Sequence, residues 1–338
     1  MTAGDPTRPD GLVVDLPLGG TILPLDRVNP QHAHLREQHD QWFADRLLGR
    51  RREKVLDRIK RHDMIGLATR AAPSADTDYL LDAALFTTTG FIVDDVLEDP
   101  DTSPLLIDAY LAVADESDMA VESDDLRLWA DSLTLARAHL TPGQKARHRR
   151  GLSDWVKCHA GRGRQLEHTR DLTSYLDFRR TDSGFDFLTV GVERSIGVDL
   201  EQAAHSPELE RLHTACLAHG TLVNDLFSYR KERDEPVPMN AVHVLRRTDG
   251  RTLQSAVDEL CGLIRQAELD VDRLLRAWKD ADDAQALYAY AHAWWELLGG
   301  HLRWTLESER YHGRGHVWDG TVPTAMVLYS DRTVLLSA

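Results

Sequence analysis

From about residue 30 onward, apolar positions along this chain recur at helical spacing. After Asn29-Pro30 the run HAHLREQHDQWFADRLL places Leu35, Trp42 and Phe43 at core positions, which predicts a first helix. Residues 52–71 continue the same pattern until Ala72-Pro73-Ser74 breaks it. The longest apolar run follows, Asp78–Asp99. It is apolar on nearly every face until its acidic end, so it predicts a buried central helix stopped by Pro100. Further helices are expected over 104–117, 124–139, Pro142 to about Cys158, and Glu167–Arg180. Thr181-Asp182-Ser183-Gly184 interrupts the pattern, and a helix resumes at about Phe185. Residues 206–234, ended by Pro236 and Pro238, come next, then Asn240–Arg247, Thr252–Ala277 and Ala281–Tyr311.

The ends differ. Residues 1–20 place two prolines before a short apolar patch and a Gly pair, which predicts a flexible leader. Residues 312–338, with Gly313, Gly315, Gly320 and Pro323, predict a loop with a short final segment. No strand alternation is long enough for a sheet, and neither a repeat nor a linker divides the chain. The expectation is an all-α, single-domain bundle of about a dozen helices.

Composition narrows the class. With 40 Lys+Arg against 55 Asp+Glu the net charge is −15, which argues against a nucleic-acid or anionic-membrane partner. No run of 18 apolar residues predicts a membrane span, and no secretory leader is apparent. Cys158, Cys216 and Cys261 are widely spaced and outside any CxxC arrangement, as expected of reduced, buried thiols in a cytoplasmic protein.

Candidate chemistry begins at Asn224-Asp225-Leu226-Phe227-Ser228-Tyr229-Arg230-Lys231-Glu232. Asn224, Ser228 and Glu232 fall at i, i+4, i+8, on one helix face with a drift of about 40° per step. An amide oxygen, a hydroxyl and a carboxylate are hard donors suited to Mg²⁺ rather than zinc. Arg230 and Lys231 lie where an anion carried by the metal could be held. An ordinary polar helix face has the same spacing, so a second set of ligands is needed. The central helix supplies one, ending Val93-Asp94-Asp95-Val96-Leu97-Glu98-Asp99. Asp94 pairs with Glu98 and Asp95 with Asp99 at i, i+4, where like charges repel and the helix dipole disfavours them. A divalent cation supplies the missing reason. Asp124-Asp125 and Asp282-Asp283 sit at helix starts and need no metal.

An aspartate-rich helix end followed about 130 residues later by NDxxSxxxE resembles the two metal motifs of bacterial-type class I terpene synthases. Arg310-Tyr311 is similar to that family's terminal Arg-Tyr pair, with Trp304 at a position often aromatic. Tyr175-Leu176-Asp177-Phe178-Arg179-Arg180-Thr181 is similar to the segment carrying its diphosphate-sensing arginine, and Asn29-Pro30 and Trp42 are similar to its N-terminal segment. The resemblance covers roughly residues 22–318. It implies a helical catalytic domain over 21–318 around a central apolar cavity; a tail, 319–338, is expected to close over the pocket, with Arg314 or Trp318 of the wider 312–338 segment contributing. Departures are a first motif reading DDVLED, so that Glu98 or Asp99 takes the place of the usual third Asp, and a Gly that arrives only at Gly184.

The family's chemistry then assigns expectations residue by residue. Three Mg²⁺ ions would be held by Asp94, with Asp95, Glu98 or Asp99, and by Asn224, Ser228 and Glu232. Arg179, Lys231, Arg310 and the Tyr311 hydroxyl would hold the diphosphate, with Asp182 as linker and the carbonyl near Ser183/Gly184 as effector. Phe86, Thr87, Gly90, Phe91 and Trp304, with Trp294 or Trp295, would line the hydrocarbon pocket. Small side chains at Thr87-Thr88-Thr89-Gly90 lean the expectation towards a C20 over a C15 prenyl diphosphate. A chain-elongating prenyltransferase would carry two DDxxD motifs, whereas the second motif here is NDLFSYRKE. A helical scaffold protein is the non-enzyme alternative, and a homodimer is a possible assembly.

Overall fold

The computed structural model describes residues 11–48, 52–97, 99, 101–117, 123–166, 169–201, 206–235, 238–281 and 284–337, with backbone alone at 162–166. Among these, fourteen helices carry the fold: α1 His32–Arg46, α2 Arg52–His62, α3 Met64–Ala71, α4 Thr77–Leu97, α5 Pro104–Ala114, α6 Asp124–Arg137, α7 Pro142–Leu166, α8 Leu172–Asp182, α9 Phe185–Ser195, α10 Pro207–Glu232, α11 Ala241–Asp249, α12 Leu253–Lys279, α13 Gln285–Glu307 and the single turn α14 Glu309–His312.

Two helices organise the interior. α4 packs against α3 and α6, α10 packs between α12 and α13, and the two face each other across a cavity. The start of α10 is set by Ser206, whose side chain accepts from the Leu209 amide, and by Pro207 at the first helical position. Leu209, Leu212, Leu222 and Leu226 are then fully buried, each worth roughly 1.5–3 kcal/mol of transfer free energy.

The single helix expected over 52–71 is two helices. Asp63 adopts a left-handed backbone, φ 52°, and its carboxylate accepts from the Gly66 amide at 3.0 Å. A Cβ on Gly66 would lie 2.0 Å from Asp63 Oδ2, so a larger residue there would displace the capping carboxylate. Trp304 Nε1 donates to the carbonyls of both His62 and Asp63 at 2.9 Å, which ties the break to the cavity wall. The last expected helix is also divided. Ser308 is extended and its Oγ accepts from the Arg310 amide at 3.2 Å, so Arg310 and Tyr311 sit on a separate turn. α7 runs well past Cys158, and α8 begins at Leu172 rather than Glu167, which lies outside the described residues.

A small sheet corrects the expectation of none. β1 (Leu12–Asp15), β2 (Ala325–Leu328) and β3 (Thr333–Leu336) pair antiparallel in that order, with Leu12 opposite Leu328 and Asp15 opposite Ala325. Four-residue strands give too short an alternation to register in a sequence pattern. β1 falls within the segment expected as a flexible leader. Its Asp15 exchanges hydrogen bonds with the Gln254 side chain on α12. The tail expected over the pocket forms the β2–β3 hairpin, and among the described residues none of 312–337 lines the cavity.

Candidate active site

A cavity of about 830 Å³ opens between the C-terminal ends of α4 and α10. Asp94, Asp95 and Asp99 line it from one side, Asn224, Lys231 and Glu232 from the other. Arg179, Asp182 and Ser183 reach it from the α8–α9 break, and Arg310 and Tyr311 from α14. Residues more than 200 positions apart in sequence thus share one mouth. Phe86, Thr87, Gly90, Phe91, Trp294 and Trp304 line the same cavity.

Not every expected residue does so. Ser228 is buried behind the wall, with its Oγ lacking a hydrogen-bond partner. Arg230 turns away to the Ser330 carbonyl, 3.3 Å. Trp295 packs against the core without lining the cavity, and Trp318 lies beside Arg303. Glu98 lies outside the described residues.

The α10 wall is firmly braced. Asn224 Nδ2 donates to the Tyr311 hydroxyl at 2.9 Å, and Asn240 Nδ2 donates to Glu232 Oε2 at 2.9 Å. The intervening Asp225 points the opposite way, into the protein. There it accepts from the Tyr175 hydroxyl at 2.6 Å and the Ala241 amide at 2.9 Å, with Arg179 Nη2 at 3.4 Å. Burial pushes the Asp225 carboxyl up to about 6. Arg179, itself buried, donates from Nη1 to Asp182 at 2.7 Å. The α8–α9 break depends on Gly184 at φ 72°, where a Cβ would lie 2.2 Å from the Phe187 ring.

The α4 wall is more open. Asp95 makes a close ion pair with Arg58, and both are part-exposed. Asp94 Oδ1 lies 3.2 Å from His159 Nδ1. Asp99 accepts from the Asp101 amide at 2.9 Å.

Positive charge accumulates at the mouth. Burial and then Arg310, Arg58, Lys231 and Arg61 hold the His62 imidazole down at about 3. Burial and then Arg310 push Lys231 below its ordinary value. Arg310 stacks over the Phe91 ring, 4.1 Å to its centroid, leaving its charge at the border of the polar mouth and the apolar interior. Such a cluster suits a polyanion.

The donor set fits a hard divalent cation in a specific way. No three His, Cys, Asp or Glu side chains converge on one point among the described residues. An ion at this mouth therefore needs Asn224, the unsatisfied Ser228 hydroxyl and oxygens brought by an anionic ligand in addition to the carboxylates.

Deeper in, the lining is apolar. Phe86 stacks on Trp129 at 5.8 Å and meets Phe187 edge-on at 5.6 Å, while Trp304 meets Tyr311 edge-on at 5.5 Å. A Cβ on Gly90 would meet nothing within 4 Å. Sequence reasoning missed His159, Asn240 and the Tyr175–Asp225 pair. Asn240 alone had a local signal, as the N-cap of a helix just after Pro238; His159 had none.

Comparison with known proteins agrees with this geometry. The family model for terpene synthase family 2, C-terminal metal binding, matches residues 85–270, more than half of the 338. Sesquiterpene synthase 6 of Postia placenta is 26% identical over 306 residues, 85% of this chain and 87% of that protein. Sesquiterpene synthase Agr3 of Cyclocybe aegerita is 33% identical over 149 residues, 43% of this chain, and the chain spans only 41% of Agr3's length. In structure, the chain is similar to germacradien-4-ol synthase from Streptomyces citricolor (22% identical, TM-score 0.66, covering 85% of this chain and 98% of that one). It is likewise similar to linalool/nerolidol synthase from Streptomyces clavuligerus (21% identical, TM-score 0.69, covering 84% and 99%). These structural likenesses speak for the fold, which is the all-α fold of class I terpene synthases. With the metal-binding model matched across both walls of the cavity, the chain belongs to the terpene synthase family.

Proposed function

We propose that this protein ionises an acyclic prenyl diphosphate in a Mg²⁺-dependent reaction and cyclises the resulting allylic cation, releasing diphosphate. One observation carries the reading: the Asp94 end of α4 and the Asn224–Glu232 face of α10 meet at one mouth, with cations around it and an apolar cavity beneath. Three Mg²⁺ ions, held by Asp94 with Asp95 or Asp99 on one side and by Asn224, Ser228 and Glu232 on the other, would supply Lewis-acid neutralisation of the leaving diphosphate. Arg179, Lys231 and Arg310, with the Tyr311 hydroxyl, bind and orient its oxygens; the arginine fork matches them in two-point fashion. Asp182 holds the Arg179 guanidinium in place, and the carbonyl near Ser183/Gly184 would serve as the effector. Phe86, Phe91, Trp294 and Trp304 then exclude water and favour positive charge over their ring faces.

A C15 substrate is the first reading, since the relatives in Postia placenta and Cyclocybe aegerita are named sesquiterpene synthases. A C20 substrate is the second, supported by the open space at Gly90 within a cavity of about 830 Å³.

Incubating the protein and Mg²⁺ with C10, C15, C20 and C25 diphosphates, with products read by gas chromatography–mass spectrometry, tests both. Cyclic hydrocarbon or alcohol from at least one substrate is expected. Elongated diphosphates would identify a prenyltransferase, and a protein that neither turns over a substrate nor gains thermal stability from Mg²⁺ with pyrophosphate would be a scaffold. Gly90→Phe is expected to cut C20 turnover more than C15; equal loss would remove the pocket-size argument.

A further inference from the structure

His159, on α7, occupies a place that the chemistry above leaves unused. Its side chain is 2% exposed, it packs on Trp155 at 4.7 Å between centroids, and it lines the cavity. Its two ring nitrogens reach two different functional elements. Nε2 lies 3.1 Å from the Asp182 carbonyl oxygen, and because a carbonyl only accepts, Nε2 carries the hydrogen and donates. Nδ1 lies 3.2 Å from Asp94 Oδ1, outside hydrogen-bond geometry. The ring thus sits between the Asp94 carboxylate and the segment that carries Arg179 and Asp182.

The connection continues beyond the ring. Asp182 accepts from Arg179 Nη1 at 2.7 Å, and Arg179 Nη2 lies 3.4 Å from Asp225 Oδ1. The Asp225 carbonyl accepts from Asn240 Nδ2 at 2.6 Å, and the same nitrogen donates to Glu232 Oε2 at 2.9 Å. A buried polar chain therefore runs from α4 through α7 and α8 to α10, and His159 is its member on α7. Beyond Arg179 every link is a charge-assisted or buried contact, whereas the Nδ1–Asp94 contact is the weakest geometrically and so the easiest to exchange.

We propose that His159 is a positioning residue that couples the Asp94 carboxylate to the Arg179–Asp182 segment, so that cation capture on α4 and diphosphate capture at α8 reinforce each other. Direct metal–pyrophosphate contacts supply part of any such reinforcement; the His159 path adds the part that passes through the protein. This inference rests on the proposed reading of the site as a metal–diphosphate mouth.

The test is titration of inorganic pyrophosphate into the full-length protein with and without Mg²⁺, by calorimetry, for the wild type, His159→Phe and His159→Gln. Phe keeps the ring and removes both nitrogens; Gln keeps a donor for the Asp182 carbonyl and loses the Asp94 contact. Mg²⁺ is expected to tighten pyrophosphate binding in the wild type, and both variants are expected to lose at least about fivefold of that tightening, the lower end of ordinary coupling. Binding without Mg²⁺ should stay within about twofold, a selectivity that simple loss of packing would not produce, and kcat should fall more than KM changes. If His159→Phe does not fold, as judged by its melting transition, His159→Gln decides the matter. Unchanged tightening in the folded variants, beside a Mg²⁺-dependent wild type, overturns the coupling alone. A wild type whose pyrophosphate binding ignores Mg²⁺ overturns the coupling together with the reading of the site.

Discussion

The α10 wall and the α4 wall face one cavity, yet they are built in opposite ways. Both present carboxylates at a helix C-terminus, where the backbone dipole disfavours negative charge. α10 compensates within its own last turn, through Arg230 and Lys231, and braces Glu232 with Asn240. α4 has no basic residue in its last turn. Its Asp95 relies on Arg58 from another helix, and its Asp94 lies beside the His159 ring. One wall is braced at its own helix end; the other presents carboxylates whose neighbours come from other helices. The difference separates preorganisation from capture: a rigid half that sets the geometry and a responsive half that closes on what arrives.

The largest effect should come from the ligands themselves. Asn224→Ala and Asp94→Ala are each expected to lower product formation by on the order of 10²–10³-fold or more with folding intact, as removal of a key charge-stabilising group does. Asp95→Ala, whose carboxylate is half-exposed and already paired, should cost only about tenfold. Equal losses at Asp94 and Asp95 would show that the two carboxylates share the load and would weaken the picture of a singly anchored α4 end.

Stability should show the opposite ranking. Asp225→Ala leaves the buried Tyr175 hydroxyl and Ala241 amide without their acceptor and removes one of the two carboxylates beside Arg179, and about 2–5 kcal/mol of destabilisation is expected by denaturant unfolding. On the α4 side, Arg58→Ala breaks a part-exposed pair and should cost less than about 1 kcal/mol. A large loss from Arg58→Ala would mean that the α4 end is as rigidly built as α10. Hydrogen exchange sharpens the same contrast: Mg²⁺ with pyrophosphate should slow exchange more over residues 90–97 than over 221–232.

pH gives a smaller, graded effect. Burial lowers His62, His148, His301 and His312 to about 3 and His213 to about 4, so the folded state keeps them neutral. The unfolded chain takes up protons as pH falls through its ordinary value near 6.5 while the folded state does not. Stability is therefore complete above about pH 6.5 and declines as pH falls towards 4. The melting temperature should drop steadily from pH 7 to pH 5, and a flat profile would show that these imidazoles are hydrated. Pyrophosphate with Mg²⁺ should leave the contributions of His148 and His213, which are remote from the mouth cations, unchanged.

Much of this was legible along the chain because its causes are local. Helical spacing followed from side-chain periodicity, the α10 ligand face from the i, i+4, i+8 spacing of Asn224, Ser228 and Glu232, and the significance of Asp94-Asp95 from a charge placement that local physics opposes. The substrate chain length was not legible, because it depends on the shape of a space that no single segment encloses.

What the tertiary structure alone decided has a common physical form. The break at Asp63 is held by the Gly66 amide donating to its carboxylate and by Trp304 Nε1 donating to the His62 and Asp63 carbonyls. β1 exists because Leu12–Asp15 meets Ala325–Leu328, a partner without which four residues make no strand. Asp225, adjacent in sequence to a ligand, became a brace because the helix turns its side chain inward to Tyr175 and Arg179. His159 acquired a hydrogen-bond acceptor on α8 and a carboxylate neighbour on α4. The sequence by itself determined which helices form and which faces carry ligands, since those depend on neighbours within two turns. Bracing and coupling depend on contacts between helices, which have no period along the chain and exist only once it has folded.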